Sequence, residues 1–104
     1  MKFQFSADVQ EKLKTKHGVD VQEVYECFLN RHGPFFLETR PEHVTDPSSW
    51  WFVAETDKGR PLKVIFVRYP DHFAIKSAFD PENGQYEEYE KLRRENEKRE
   101  RKNS

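Results

Sequence analysis

The run WWFVAETDKGRPLKVIFV, residues 50 to 67, reads as two strands joined by one tight turn. Asp57-Lys58-Gly59 has the form of a three-residue hairpin loop with glycine in the left-handed position. Such a loop sets the register: Thr56 faces Arg60, Ala54 faces Leu62, Phe52 faces Val64 and Trp50 faces Phe66. One side of this ribbon is then almost wholly apolar and needs helices to cover it. The other side carries Trp51, Val53, Glu55, Lys63, Ile65 and Val67. A slip by one residue would mix Lys63 into the apolar side, so the pattern itself selects the pairing. The strands run over Trp50–Thr56 and Pro61–Tyr69.

Upstream of the hairpin, Lys2–Phe5 alternates as a short strand. Ser6 is placed to cap a helix from Ala7 to His17, whose last turn holds Lys14, Lys16 and His17, where positive charge suits the helix dipole. Gly18 ends it. Asp20 and Glu23 have capping-box spacing for a second helix, with Val19 as its staple to Val24. The apolar stripe of that helix is Val21, Val24, Tyr25 and Phe28, and it stops near Arg31, before Gly33-Pro34. Phe35–Thr39 reads as a short strand and Arg40–Ser49 as a polar loop.

Downstream, Tyr69-Pro70-Asp71-His72 turns the chain into a last strand, Phe73–Phe79. Simple alternation points Phe73, Ile75 and Phe79 inward and Lys76 outward. Residues 80–84 break it. A helix then starts at Gln85 and reaches about Lys98, with Tyr86, Tyr89 and Leu92 as its packing side chains. The expected fold class is α+β in the order β-α-α-β-β-β-β-α, with two N-terminal helices packed on one face of an antiparallel sheet. Residues 1–90 form the expected single domain. Residues 91–104 form a charged helical extension that frays at its end, having nothing to bury there.

Composition narrows the function classes. The 104 residues include nine Phe, four Tyr and two Trp, large apolar groups that let a short chain build a core. Net charge is −1, unevenly spread: residues 91–102 hold seven basic and three acidic side chains, so the tail is +4 and the remainder −5. That balance argues against strong non-specific nucleic-acid binding. The single cysteine, Cys27, allows no internal disulfide and suits a reducing cytoplasm. No apolar run has signal-peptide or membrane-spanning length. His32, His43 and His72 lack metal-ligand spacing with one another or with Cys27, and no paired Asp residues suggest a metal-dependent hydrolase.

Four strings, KHGVDVQEV (16–24), RPEHVTDP (40–47), WFVAETDKGRPLKVIFV (51–67) and IKSAFDPE (75–82), follow one another at a characteristic spacing. Together they resemble the BrnT toxin family and neighbouring bacterial families of unknown function, over most of residues 3–90. The resemblance implies a fold like the RelE-type ribonucleases and a bacterial host. It implies metal-independent endoribonuclease activity that blocks translation, with no cofactor, and an antitoxin partner encoded nearby. The sequence departs from the family at Phe79, where members usually carry Arg, and in its acidic body.

Metal-free RNA cleavage needs a base, cations for the phosphorane and a proton donor on one surface. The outer sheet side offers Glu55, Lys63 and Lys76. His43 and Arg40 enter from the loop beside it, Arg60 sits at the hairpin end, Trp51 offers a ring for a base or a partner, and Tyr86 opens the last helix. Glu55 or His43 would move protons, with Lys63 and Lys76 on the phosphate and Arg40, Arg60, Trp51 and Tyr86 holding substrate. The competing reading is a solvated sheet face with a cross-strand Glu–Lys pair. His17 reads as a packing residue that complements the helix dipole. RNA and an antitoxin or other protein are the expected partners, no membrane is involved, and self-association stays open. The alternative function is a non-catalytic protein-interaction module on the same fold.

Overall fold

The central hairpin forms in the expected register. In a computed structural model, which describes residues 2–39, 47–82 and 84–103 with side chains to residue 100, strand β3 (Ser49–Glu55) pairs antiparallel with β4 (Pro61–Arg68). Trp50 faces Phe66, Phe52 faces Val64 and Ala54 faces Leu62. The turn closes through the Thr56 N–H donating to the Arg60 carbonyl at 2.9 Å, and Gly59 takes the left-handed conformation at φ 85°.

The full order is β1 (Lys2–Gln4), α1 (Ala7–Lys12), a π-helical turn (Leu13–His17), α2 (Val21–Asn30), β2 (Phe36–Leu37), β3, β4, β5 (His72–Phe79) and α3 (Gln85–Asn103). This is an α+β fold with the expected sequence of strands and helices. The sheet runs β1-β5-β4-β3-β2. It is mixed, not antiparallel throughout, because β1 lies parallel to β5. Three alternating residues carry no directional signal. Side-chain packing places the strand: the Phe3 ring sits 5.1 Å from Tyr25, 4.7 Å from Phe28 and 5.8 Å from Phe73, seating β1 at the β5 edge.

The first helix departs from expectation. α-Helical bonding stops at Lys12, and residues 13–17 form a wider π turn. Thr15 turns its hydroxyl back to the Glu11 carbonyl at 2.8 Å, a bond that competes with regular helix geometry. Ser6 caps the start, accepting from the Val9 N–H at 3.1 Å, and Gly18 ends the turn at φ 62°. The Glu23 carboxylate accepts the Asp20 N–H at 3.1 Å at the start of α2.

On the inner face of the sheet, Phe52, Leu62, Val64 and Phe66 are fully buried against Val24 and Cys27 of α2. Phe28 joins the layers, its ring within 4.7 to 5.5 Å of Phe3, Phe52, Phe66 and Phe73. Cys27 places its Sγ 3.6 Å from the Ala54 carbonyl, and burial, with the nearby Glu23 and Glu26 charges, pushes its thiol up to about 12. Reactivity requires an accessible thiolate, so native protein at pH 8 should resist iodoacetamide and react only after denaturation. Comparable native and denatured rates would place Cys27 outside the core.

The outer face is covered too. Tyr89 of α3 is buried over β3, its ring 5.7 Å from Trp51 and 5.5 Å from Phe36, and its hydroxyl donates to the Pro34 carbonyl at 2.9 Å. Gly33 makes this approach possible, since a Cβ there would lie 2.6 Å from the Tyr89 hydroxyl and 2.7 Å from Arg93 Cδ. Tyr86 and Leu92 pack beside it, as their spacing predicts. Around Trp51 the sheet is therefore enclosed between α2 and the first half of α3, while the β5 side of the outer face stays open.

Candidate functional site

A β-bulge sets the chemistry of the outer face. Ile65 pairs with Ser77, but the next residue, Phe66, pairs with Ile75, so Lys76 is an extra residue in β5. Beyond the bulge, alternation reverses. Ala78 faces the core opposite Val64, and Phe79 stands opposite Lys63 on the outer side. The inward Phe79 expected from simple alternation is thus corrected: the ring is half-buried on the wall of a cleft.

That cleft, about 550 Å3, lies between the outer sheet face and the end of the first helix. Lys12, Lys16 and His17 line it from one side. Lys63, Ile65, Lys76, Ser77 and Phe79 line it from the sheet, with Glu38, Ser49, Glu82 and Gln85 at its margins. Four lysines and two glutamates meet here on a chain of net charge −1, so positive charge is concentrated locally. Lys12, Lys16 and Lys76 are exposed and form no ion pair among the described residues. The π turn contributes by presenting Lys16 and His17 together at this point, a geometry that recurs at functional sites.

His17 is half-buried, with its ring 5.5 Å from Phe79. Its Nε2 is buried and has no hydrogen-bond partner among the described residues. Burial and the charges of Lys12 and Lys16 lower its pKa below the usual 6.5, against a smaller opposing effect of Asp80. The imidazole is therefore neutral at pH 7 and able to accept a proton.

Arg60 braces the elements that meet beside this region. Its Nε and Nη2 donate to the Asp80 carboxylate at 3.0 and 3.1 Å. Nη1 donates to Glu23 at 3.2 Å and to the Gly18 carbonyl at 2.9 Å, and Nη2 also reaches the His17 carbonyl at 3.2 Å. The hydrogen bond from Arg60 holds the Asp80 carboxyl below its ordinary range. One guanidinium thus ties the hairpin, the end of β5, the π turn and α2 together. It positions His17 through the backbone, and its donors are engaged within the fold.

The residues singled out from sequence fall into separate places. Lys63 and Lys76 line the cationic cleft. Glu55 and Tyr86 line a different one, of about 640 Å3, with Asn30, Arg31, His32 and Glu90. Strand alternation does put Glu55 and Lys63 on the same face, but α3 crosses between the two clefts. Burial, then the Glu55 and Glu90 charges, raise the Tyr86 pKa. Trp51 is only 6% exposed, beneath Tyr89, with the Lys63 Nζ 4.6 Å from its ring centre, so it is a packing residue and not an open platform. Lys63 itself is 3% exposed. Arg40 and His43 lie outside the described residues.

Lys12 and Phe79 were not among the sequence candidates, Lys16 entered only through the helix dipole, and His17 was read as a packing residue and not as part of the site. Lys12 and Lys16 stand four apart, the spacing of neighbours on one helix face, which was the available signal. No family model matches the chain, and no curated protein matches it. Among the described residues, no group of three His, Cys, Asp or Glu side chains is placed to hold a metal ion, and no helix is long and apolar enough to cross a membrane.

Proposed function

We propose that this protein binds RNA in the cationic cleft and cleaves it without a metal, as a BrnT-like toxin of RelE-like fold in a bacterial toxin–antitoxin pair. The observation that carries the reading is the convergence of Lys12, Lys16, Lys63 and Lys76 with a neutral His17 around one cleft of an otherwise acidic chain. His17 takes the proton of a 2′-hydroxyl through Nδ1, since its Nε2 is buried. The freed oxygen attacks the adjacent phosphorus, and the lysines stabilise the charge that builds on its non-bridging oxygens. The 5′ oxygen leaves with a proton from a cleft lysine or water, giving a 2′,3′-cyclic phosphate. Such a protein works in the cytoplasm and needs an antitoxin to restrain it.

A non-catalytic interaction module is the second reading, and Arg60 favours it. Arg60, beside the hairpin turn, is committed to Asp80, Glu23 and two carbonyls, leaving it no donor for a phosphate.

The two readings separate in one assay. Purified protein should cut single-stranded RNA with excess chelator present, and its expression should slow growth. The acid limb of kcat/KM should have its midpoint below pH 6.5. The sign follows from His17: its lowered pKa keeps the proton-accepting form populated to lower pH than an ordinary histidine would. Protein that neither cuts RNA nor slows growth excludes the ribonuclease. Loss of cutting with chelator excludes the metal-free route.

A further inference from the structure

The cationic cleft is not cationic throughout. Ile65 and Phe79 give it an apolar wall, directly beside the exposed Lys76. A phosphate chain or duplex backbone makes no use of such a wall. A nucleobase does, since every base has an apolar face that stacks on an aromatic ring.

Resting on the reading of this cleft as the RNA site, we propose that Phe79 is the stacking platform for one base of a single-stranded RNA, whose neighbouring phosphate lies on Lys76 and Lys16. Three observations carry this. The bulge at Lys76 is what turns Phe79 to the cleft, and it places ring and cation within three residues of each other on the same surface. The His17 ring supports Phe79 at 5.5 Å and 39°, so the platform is held in place and little ordering is needed when a base arrives. Trp51, on the same face, is buried under Tyr89, which leaves Phe79 as the phenyl ring that lines the cleft, with the His17 imidazole beside it.

The test compares a fluorescent, non-cleavable 2′-O-methyl oligouridine with inorganic polyphosphate of similar charge, using the full chain. Wild type should bind both. Phe79→Ala should bind the oligonucleotide on the order of tenfold more weakly and polyphosphate equally well. Phe79→Trp should bind the oligonucleotide at least as well as wild type. Retained polyphosphate binding shows that the cleft is folded in the alanine variant. If Phe79→Ala binds the oligonucleotide like wild type, or loses both ligands together, the platform is overturned while the RNA site stands. Mononucleotide binding that matches the oligonucleotide overturns the single-strand assignment. If wild type binds polyphosphate but no oligonucleotide, or neither, the RNA reading falls with the platform.

Discussion

Phe66→Ala is expected to cost about 3–5 kcal/mol of stability, as truncation of fully buried aromatic residues does. Phe66 is at 0% exposure in the middle of β4. Its ring lies 4.8 Å from Phe35, 5.0 Å from Phe73, 5.3 Å from Phe28 and 6.0 Å from Phe52. These rings come from α2, β3, β5 and the segment before β2, so the cavity would open where several elements meet. Aromatic neighbours held on separate strands cannot all shift inward to fill it, which keeps the loss near the upper part of the range. Small domains have about 5–15 kcal/mol in total, so the variant should be close to unfolding at 37 °C. A urea titration reads this directly as a lowered midpoint at unchanged slope. A loss below about 1 kcal/mol would mean that the ring is not in the core, and with it the hairpin register would fail.

How much of this could be read from the residues depends on which physical rule applied. The register was legible because side chains alternate with a period of two and the Asp57-Lys58-Gly59 turn left one apolar solution. Ser6 marked the start of the first helix, Gly18 the end of its π turn and Glu23 the start of the second helix, because unsatisfied backbone groups demand those residue types. The bulge was not legible. Lys76-Ser77 contains no glycine and no break in β propensity, yet one extra residue reverses the facing of everything after it and carries Phe79 from the expected core to the cleft. The outer face was half legible. Tyr86, Tyr89 and Leu92 identified themselves as packing residues, but nothing local showed that Tyr89 would settle on Trp51 and divide Glu55 from Lys63. The Lys12–Lys16 pair was visible as a spacing, and its meaning depended on where the helix comes to lie beside β5. Site chemistry was therefore the least legible part, because it arises from long-range juxtaposition and not from any motif.

The largest functional effect is expected at Lys76. It is exposed on the bulge, it lines the cleft, and it makes no ion pair among the described residues, so replacing it leaves the fold intact to within about 0.5 kcal/mol. Lys63 is the poorer probe, since its stem is buried against Trp51 and its loss would mix packing with charge. A cation placed where charge grows in the transition state typically contributes on the order of 10²–10³ in rate. Glu55 supplies the control, because it is also an exposed charged residue of the sheet but faces the other cleft. The most direct measurement is single-turnover cleavage of one RNA by wild type, Lys76→Ala and Glu55→Gln, with melting temperatures taken alongside. The cationic-cleft account predicts that Lys76→Ala loses on the order of 10²–10³ in rate at unchanged melting temperature while Glu55→Gln cuts like wild type. Undiminished cleavage by Lys76→Ala, or a collapse confined to Glu55→Gln, would contradict it.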